Sequence, residues 1–331
     1  MKRLAQEIIA GRRLGRGDDL SVLVSAGLEE LCQGADQIRA ALCGDKFDLC
    51  TIINGRSGRC GENCKFCAQS CHNHTNVEEY PFLPLEEIVA EGKRNEAAGI
   101  HRYSIVTAGR GLYGQELEQG LAAYRRLRAE TGLALCASHG LQTLEEMKAM
   151  KEAGVERFHA NLETSRRYFP FICTTHTYQD KVDNILRAKE AGLQVCSGGI
   201  LGMGETWEDQ IDMALSLAEL EVDSIPLNLL SPIPGTPLEH MEPISREDVL
   251  RSVAIFRYIN PTAWIRMAAG RGRFEDGGEA LFRSGANAAI TGDMLTTTGT
   301  SVAGDIAMAA RLGYRLEQER EEECYGNESE K

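Results

Sequence analysis

The sequence predicts an α/β fold, a closed (β/α)8 barrel of the TIM type preceded by an N-terminal helical extension. Two observations carry this. Short apolar runs alternate with amphipathic helical patterns at a regular beat, giving eight strand–helix pairs over about 260 residues, the size of such a barrel. Polar residues also collect where the runs end, in Cys136-Ala137-Ser138-His139, Asn161-Leu162-Glu163, Cys196-Ser197-Gly198-Gly199, Asn228 and Arg266. Barrel strands deliver their C-terminal ends to one mouth, so such clustering is expected. A doubly wound sheet is the alternative, and it would normally show fewer strands and a topological switch point.

Taken in order, residues 1–49 read as a helical extension, with Leu28, Leu31, Cys32, Ala35, Ile38 and Leu42 at helical spacing. The barrel spans 50–313. Its strands are predicted at 50–54, 102–107, 134–137, 157–160, 194–197, 224–228, 263–267 and 286–290. Its helices are predicted at 84–98, 115–130, 144–153, 178–191, 207–221, 245–259, 274–284 and 302–312. Three of them end in Ala-Gly, at Ala98-Gly99, Ala153-Gly154 and Ala191-Gly192, where glycine takes the left-handed C-cap. The tail 314–331 is strongly acidic and is predicted to be a frayed helix or disordered.

Composition excludes several classes. A formal charge of -13, from 36 basic and 49 acidic side chains, argues against a nucleic-acid-binding surface. No stretch approaches about 18 uninterrupted apolar residues, so no membrane span is expected. The first residues lack the apolar region and cleavage site of a signal peptide. Eleven cysteines are too few for a disulfide-rich scaffold of this length. Their clustering points to metal ligation in a reducing, cytoplasmic setting.

Cys60-Gly61-Glu62-Asn63-Cys64-Lys65-Phe66-Cys67 follows the first strand in a CxxxCxxC spacing. Three thiolates can hold three corners of a [4Fe-4S] cube and leave the fourth iron open for chemistry. Zinc is the alternative occupant, and it would need a fourth ligand from Cys71, His72 or His74. Phe66, between two ligands, would shield the cube or pack on a cofactor ring. A buried cysteine is otherwise often a small hydrophobe, and Cys32, Cys43, Cys50 and Cys324 read as structural on that ground.

This arrangement resembles the radical S-adenosylmethionine enzymes, in which the open iron chelates that cofactor and reductive cleavage releases a 5'-deoxyadenosyl radical. Over 50–313 the chain is similar to the biotin synthase family. The matching segments are Arg59–Cys67, Asn161–Ser165, Val195–Thr206, Ile225–Asn228 with Gly235–Leu238, Ile265–Arg271 and Gly292–Thr297. The resemblance implies a sulfurtransferase that closes biotin biosynthesis by inserting one sulfur into dethiobiotin, with two cofactor molecules consumed. It implies a second, auxiliary iron–sulfur cluster as sulfur donor, normally [2Fe-2S], held by cysteines on barrel strands two, three and five and by an arginine on strand seven.

Cys136, Cys196 and Arg266 match three of those positions, while Ser104 occupies the fourth. Serine is a poor, hard ligand for iron beside thiolate. Cys173 on the loop after strand four, and Cys71 beyond the triplet, are additional cysteines relative to the family pattern. The site is therefore expected to be rebuilt around Cys136, Cys173 and Cys196 as a four-iron cluster, with Cys71 as a fourth ligand or sulfur relay. By the same resemblance Asn161 and Glu163 take the cofactor ribose, the Gly198, Ile200 and Gly202 segment its adenine, and Lys181 its carboxylate. Lys181 reads equally well as a surface helix lysine. Asn228, His159 and Asn161 would face the dethiobiotin ring.

The implied partners are an electron donor such as flavodoxin or ferredoxin, iron–sulfur assembly proteins and a second copy in a homodimer, with no nucleic acid and no membrane. Competing readings are another radical enzyme on the same barrel, such as a hydrogenase-cofactor maturase or a pyrrolysine-pathway mutase, and a non-catalytic iron–sulfur or zinc protein.

Overall fold

The structure, a computed structural model, describes residues 1–297 and 299–316. Helices α1 (Lys2–Ile9), α2 (Ser21–Ser25) and α3 (Leu28–Cys43) form the N-terminal extension. The barrel strands are β1 (Lys46–Arg56), β2 (Arg102–Thr107), β3 (Ala134–Ser138), β4 (Val155–His159), β5 (Gln194–Cys196), β6 (Gly199–Leu201), β7 (Ser224–Leu229), β8 (Trp264–Met267) and β9 (Ala288–Ile290). All pair in parallel, and β9 returns to β1, so the sheet closes. β5 and β6 are two pieces of the fifth barrel strand, interrupted at Ser197-Gly198, and both pair with β7. The predicted eight-stranded barrel is therefore the observed fold.

Between strands run α4 (Leu85–Ala97), α5 (Gly114–Glu130), α6 (Leu144–Glu152), α7 (Phe169–Ile172), α8 (Tyr178–Glu190), α9 (Trp207–Glu219), α10 (Arg246–Ile259), α11 (Glu279–Phe282) and α12 (Val302–Arg311). Three of the predicted starts are fixed by reciprocal caps, Thr143 with Glu146, Thr177 with Asp180 and Thr206 with Asp209. The helix expected at 274–284 shrinks to α11. Gly277 and Gly278 hold φ of 61° and 82°, a left-handed turn that breaks the helical run before Glu279. α7, short and starting beside Pro170, was not anticipated.

The first strand begins earlier than expected, at Lys46, because 46–50 alternates rather than repeating at helical spacing. Phe47 stacks outward on Phe282 and Tyr314, while Asp48 turns into the lumen. The two-residue strand β10 (Arg315–Leu316) pairs with this start, at Lys46 and Phe47. Residues 317–331, with most of the acidic tail and Cys324, lie outside the described residues. Among the described residues no helix is long and apolar enough to cross a membrane.

One polar triad is locked inside the wall. His139 is fully buried, with Nδ1 3.0 Å from the Thr107 hydroxyl and Nε2 2.8 Å from that of Tyr124. Tyr124 donates to the Cys136 carbonyl at 3.2 Å, so it receives the Nε2 proton and Nδ1 accepts from Thr107, a neutral imidazole. Burial, with a smaller push from Arg56, lowers its pKa to about 3. The folded state resists protonation there and the unfolded state does not, so His139 contributes stability in full above pH about 6.5 that is lost as pH falls toward 3. Urea titrations of wild type and His139→Gln across that window should show a shallower pH dependence in the variant.

Candidate functional site

The triplet loop is tied on every side. Cys60 N–H donates to the Gln69 carbonyl at 3.0 Å, and Cys71 N–H returns to the Cys60 carbonyl at 2.8 Å. Asn73 Nδ2 donates to the Cys64 and Cys67 carbonyls at 3.2 and 2.8 Å. Gly58 and Arg59 take left-handed φ of 76° and 51° to enter the turn. Cys60, Cys64 and Cys67 are half-buried, and Cys71 is exposed on the outer side of the loop. Burial pushes the Cys67 thiol up to about 11, as expected for a site built to be ionised by a metal rather than by solvent.

Glu62 and Asn63, between the first two cysteines, reach across the mouth to 173–176. Asn63 Oδ1 accepts from the backbone N–H groups of Thr174 and Thr175 at 2.9 and 3.2 Å. The Glu62 carboxylate bonds Thr175 and His176 and takes Arg110 Nη1 at 3.1 Å. Its pKa is lowered: burial opposes ionisation, but the Thr175 and His176 bonds outweigh it. These ties decide where Cys173 goes. Its sulfur lies 3.4 Å from both Asn63 Oδ1 and His176 Nδ1. Cys64, Cys173 and His176 offer ligand atoms all within 4.8 Å of one another. Hydrogen bonding between the Cys64 and Cys173 sulfurs lowers the Cys173 pKa to about 3 and raises that of Cys64. The sequence expectation set Cys173 with Cys136 and Cys196 deep in the barrel; the structure instead sets it over the outer triplet, because α7 and the Asn63 cap pull it there.

The wall beside the triplet carries the residues expected to hold the cofactor. Asn161 Nδ2 is 3.3 Å from Glu163 Oε2, and Lys181 Nζ lies 4.0 Å from Glu163 Oε1 with only 15% of its side chain exposed. Lys181 thus faces the mouth and is not a surface lysine. Glu163 itself holds φ of 71°. Phe66 and Ile200 pack on one apolar cluster with Ile172, Met203 and Leu230. Gly198 is demanded by the barrel: a Cβ there would fall on the Pro226 carbonyl oxygen of β7. Gly198 N–H donates to Asn161 Oδ1 at 3.1 Å, and Glu205 caps the N–H groups of Gly202 and Met203 at 2.8 Å.

Farther in, His159 and Asn228 line the lumen. Burial lowers His159 to about 4, against the pull of Glu163, so near pH 7 it offers one donor and one acceptor. Asn228 is anchored through Gly199 O at 3.2 Å and Ala269 N at 3.3 Å.

At the floor, four strands converge on one carboxylate. Asp48 Oδ2 lies 3.3 Å from Arg102 Nε, 3.2 Å from Arg157 Nη1 and 2.8 Å from Arg266 Nη2. Burial would raise the Asp48 pKa, yet Arg266, then Arg102 and Arg157, hold it far below the usual carboxylate range. Cys136 accepts from Arg102 Nη1 at 3.7 Å. Arg266 donates to the Asp48 and Ala289 carbonyls at 3.2 and 2.9 Å and touches Ser224 Oγ at 3.3 Å. Its Nη2, though close to Asp48, has no directed hydrogen bond. Arg102 Nη1 also lies 3.9 Å from the more exposed Glu156 carboxylate, so three guanidinium groups meet one buried and one peripheral carboxylate, a remaining positive excess that an anionic thiolate–iron–sulfur core fits. Ser104 sits in this layer, paired in register with Cys136. Sequence reasoning missed Asp48, Arg102 and Arg157; the signal was polar residues two apart in otherwise apolar strands, facing the lumen together. Beneath the floor, a cavity of about 1490 Å³ reaches Asp48, Arg102 and Arg157 from the N-terminal ends of the strands.

Residues 56–217 match the model of the radical SAM superfamily, and 226–315 match the biotin and thiamin synthesis associated domain. With its cysteine triplet at the mouth of a parallel barrel, the chain is a radical SAM protein with an iron–sulfur cofactor. It is 58% identical over 316 residues to biotin synthase of Clostridium beijerinckii, covering 96% of this chain and all of that one, and 56% identical to biotin synthase of Alkaliphilus metalliredigens, covering 96% and 99%. The chain therefore belongs to the biotin synthase family. Solved structures share the fold: methylornithine synthase at a TM-score of 0.83 and 21% identity, covering 95% of this chain and 97% of that one. A maturase of the [FeFe]-hydrogenase gives 0.80 and 18%, covering 96% and 76%. The likeness of both to this chain is one of fold.

Gly198→Ala should lower the thermal midpoint by an amount equivalent to about 2–4 kcal/mol, from the forced clash with Pro226. Thermal scans of the reconstituted protein check this, and Gly61→Ala, where a Cβ meets open space, should change little.

Proposed function

We propose that the protein makes biotin from dethiobiotin with sulfur drawn from an auxiliary cluster at the barrel floor, one lumen holding both reacting centres. Membership of the biotin synthase family supports the reaction. The single observation that carries the mechanism is that the triplet at the mouth and the thiols of Cys136 and Cys196 with Arg266 at the floor belong to the same closed barrel. Cys60, Cys64 and Cys67 would hold a [4Fe-4S] cluster that, with S-adenosylmethionine bound, would supply a 5'-deoxyadenosyl radical for hydrogen abstraction from the substrate.

The chain's own residues position and exclude. Asn161 and Glu163 present acceptors and a donor to a ribose diol, and Lys181 places a cation where a cofactor carboxylate would lie. Phe66 and Ile200 furnish an apolar face for adenine. Neutral His159 and anchored Asn228 offer hydrogen bonds to a ureido ring without adding charge beside it. Hydrogen abstraction by a radical needs no protein base, so catalysis here is geometric: the substrate carbon is held between radical source and sulfide. Cys136, Cys196 and Arg266 would hold the auxiliary cluster. The auxiliary cluster of this proposal is a four-iron one in place of the family's [2Fe-2S], with Ser104 offering a hydroxyl and no thiol on β2. Cys173, held over the triplet, guards the outer site, and Cys71 lies outside both. Electron donor, assembly proteins, a homodimer and a cytoplasmic setting accompany this reading, with 1–49 as extension and 50–313 as catalytic barrel.

Anaerobically reconstituted protein with reductant and S-adenosylmethionine should convert labelled dethiobiotin to biotin; cofactor cleavage without biotin would overturn the assignment. About eight irons per chain are expected, against about six for the usual pair. Cys60→Ala should abolish 5'-deoxyadenosine and biotin alike, whereas Cys196→Ala should abolish biotin and leave cofactor cleavage measurable. Lys181→Ala should weaken cofactor binding about tenfold by equilibrium titration, the loss of one charge-assisted contact.

A further inference from the structure

We propose that Cys50 is the third thiolate of the auxiliary iron–sulfur cluster, supplying from β1 the ligand that Ser104 on β2 cannot; this deepens the sulfur-donor reading above and rests on it. Cys50 reads as a structural cysteine in the sequence, but its surroundings are not those of a small hydrophobe. It is 5% exposed and lies two residues after Asp48 on β1. Strand alternation puts both on one face, and Asp48 faces the lumen, where it meets Arg102, Arg157 and Arg266.

Register fixes the rest. Cys50 is the Cα partner of Arg102, whose guanidinium reaches the Cys136 sulfur at 3.7 Å. Ile52 is the partner of Ser104, and Ser104 of Cys136. Cys50 is thus one inward-facing step below Ser104 on the adjacent strand, a displacement of about 6.6 Å along the strand and 4.8 Å across. That is within the compass of a cluster a few ångströms wide, and it moves the thiol toward the arginine floor.

A second observation points to a ligand in the same place. Arg266, 2% exposed, has Nη2 in a 2.8 Å ion pair with Asp48 Oδ2 whose angle is not that of a hydrogen bond, so a buried N–H there is left without a well-aligned acceptor. An acceptor between Cys50, Cys136, Cys196 and Arg266 would satisfy it, and cluster sulfide or thiolate is such an acceptor. On ligation each thiol surrenders its proton and the sulfur lone pair passes to iron; no electron is transferred. Cys50 Sγ itself donates to the Thr51 carbonyl at 3.3 Å, a bond that ligation would release, whereas Cys173 lies at the mouth with Asn63 and His176, and Cys43 with the Pro261 carbonyl and Arg257.

The test uses the full chain, reconstituted anaerobically, with iron and sulfide analysis, Mössbauer spectra and 5'-deoxyadenosine release read separately. Cys50→Ala should lose the iron in excess of about four per chain and the corresponding Mössbauer component, while cofactor cleavage at the mouth persists. Cys50→Ser combined with Ser104→Cys, which returns a thiol to β2, should recover that iron relative to Cys50→Ser alone. Full iron and an unchanged spectrum in Cys50→Ala would overturn the assignment and leave the sulfur-insertion reading intact. If Cys50→Ala does not fold, the Cys50→Ser pair decides: full iron without the Ser104→Cys change refutes the ligand role. An unaltered protein holding only about four irons would remove the auxiliary cluster, and both readings with it.

Discussion

A single carboxylate organises the interior of this barrel. Asp48 meets Arg102, Arg157 and Arg266 from three other strands, and none of these groups could be buried alone without a penalty of several kcal/mol. The carboxylate makes the closed floor affordable, and with Glu156 at the edge near Arg102 it still leaves more cations than carboxylates. On the proposed reading, a thiolate-bound inorganic core would supply the remaining negative charge. A hydrophobic floor would be more stable in the empty protein and of no use to the full one.

The mouth follows the opposite logic. There the ligands sit on a loop, and precision comes from neighbours: Glu62 and Asn63 bind 173–176, Asn73 holds two ligand carbonyls, and the fifth strand breaks at Ser197-Gly198 so that backbone N–H and Asn161 meet. A loop tied at this many points behaves as rigid scaffold while keeping one side open to solvent and cofactor.

Much of this was legible in the sequence. The triplet Cys60, Cys64 and Cys67 is local, so spacing alone revealed it, and alternating apolar runs gave the barrel and its strand order. Positions such as Asn161, Glu163 and Asn228 were found because motif and strand end coincide. Cys173 was misplaced because strand order says which mouth a loop joins but not how far its cap pulls a side chain; Asn63, more than a hundred positions away, decides that. Asp48, Arg102 and Arg157 were missed because each looks ordinary in its own strand, and only barrel closure brings them together. The proposed ligand Cys50 is masked in the same way, since its one-dimensional neighbours, Leu49 and Thr51, are those of a core residue.

The cavity beneath the floor has a consequence for how such an enzyme lasts. On the proposed reading, a sulfur donor consumed in each round must be replenished, while cofactor and product would occupy the top of the lumen. An opening on the underside, lined by Lys46, Arg128 and Lys151 and equally by Glu152, Glu156 and Asp223, leads to Asp48, Arg102 and Arg157 from the N-terminal ends of the strands. On that reading, repair and turnover would use opposite ends of one tube, so that the sulfur store could be refilled without emptying the upper chamber.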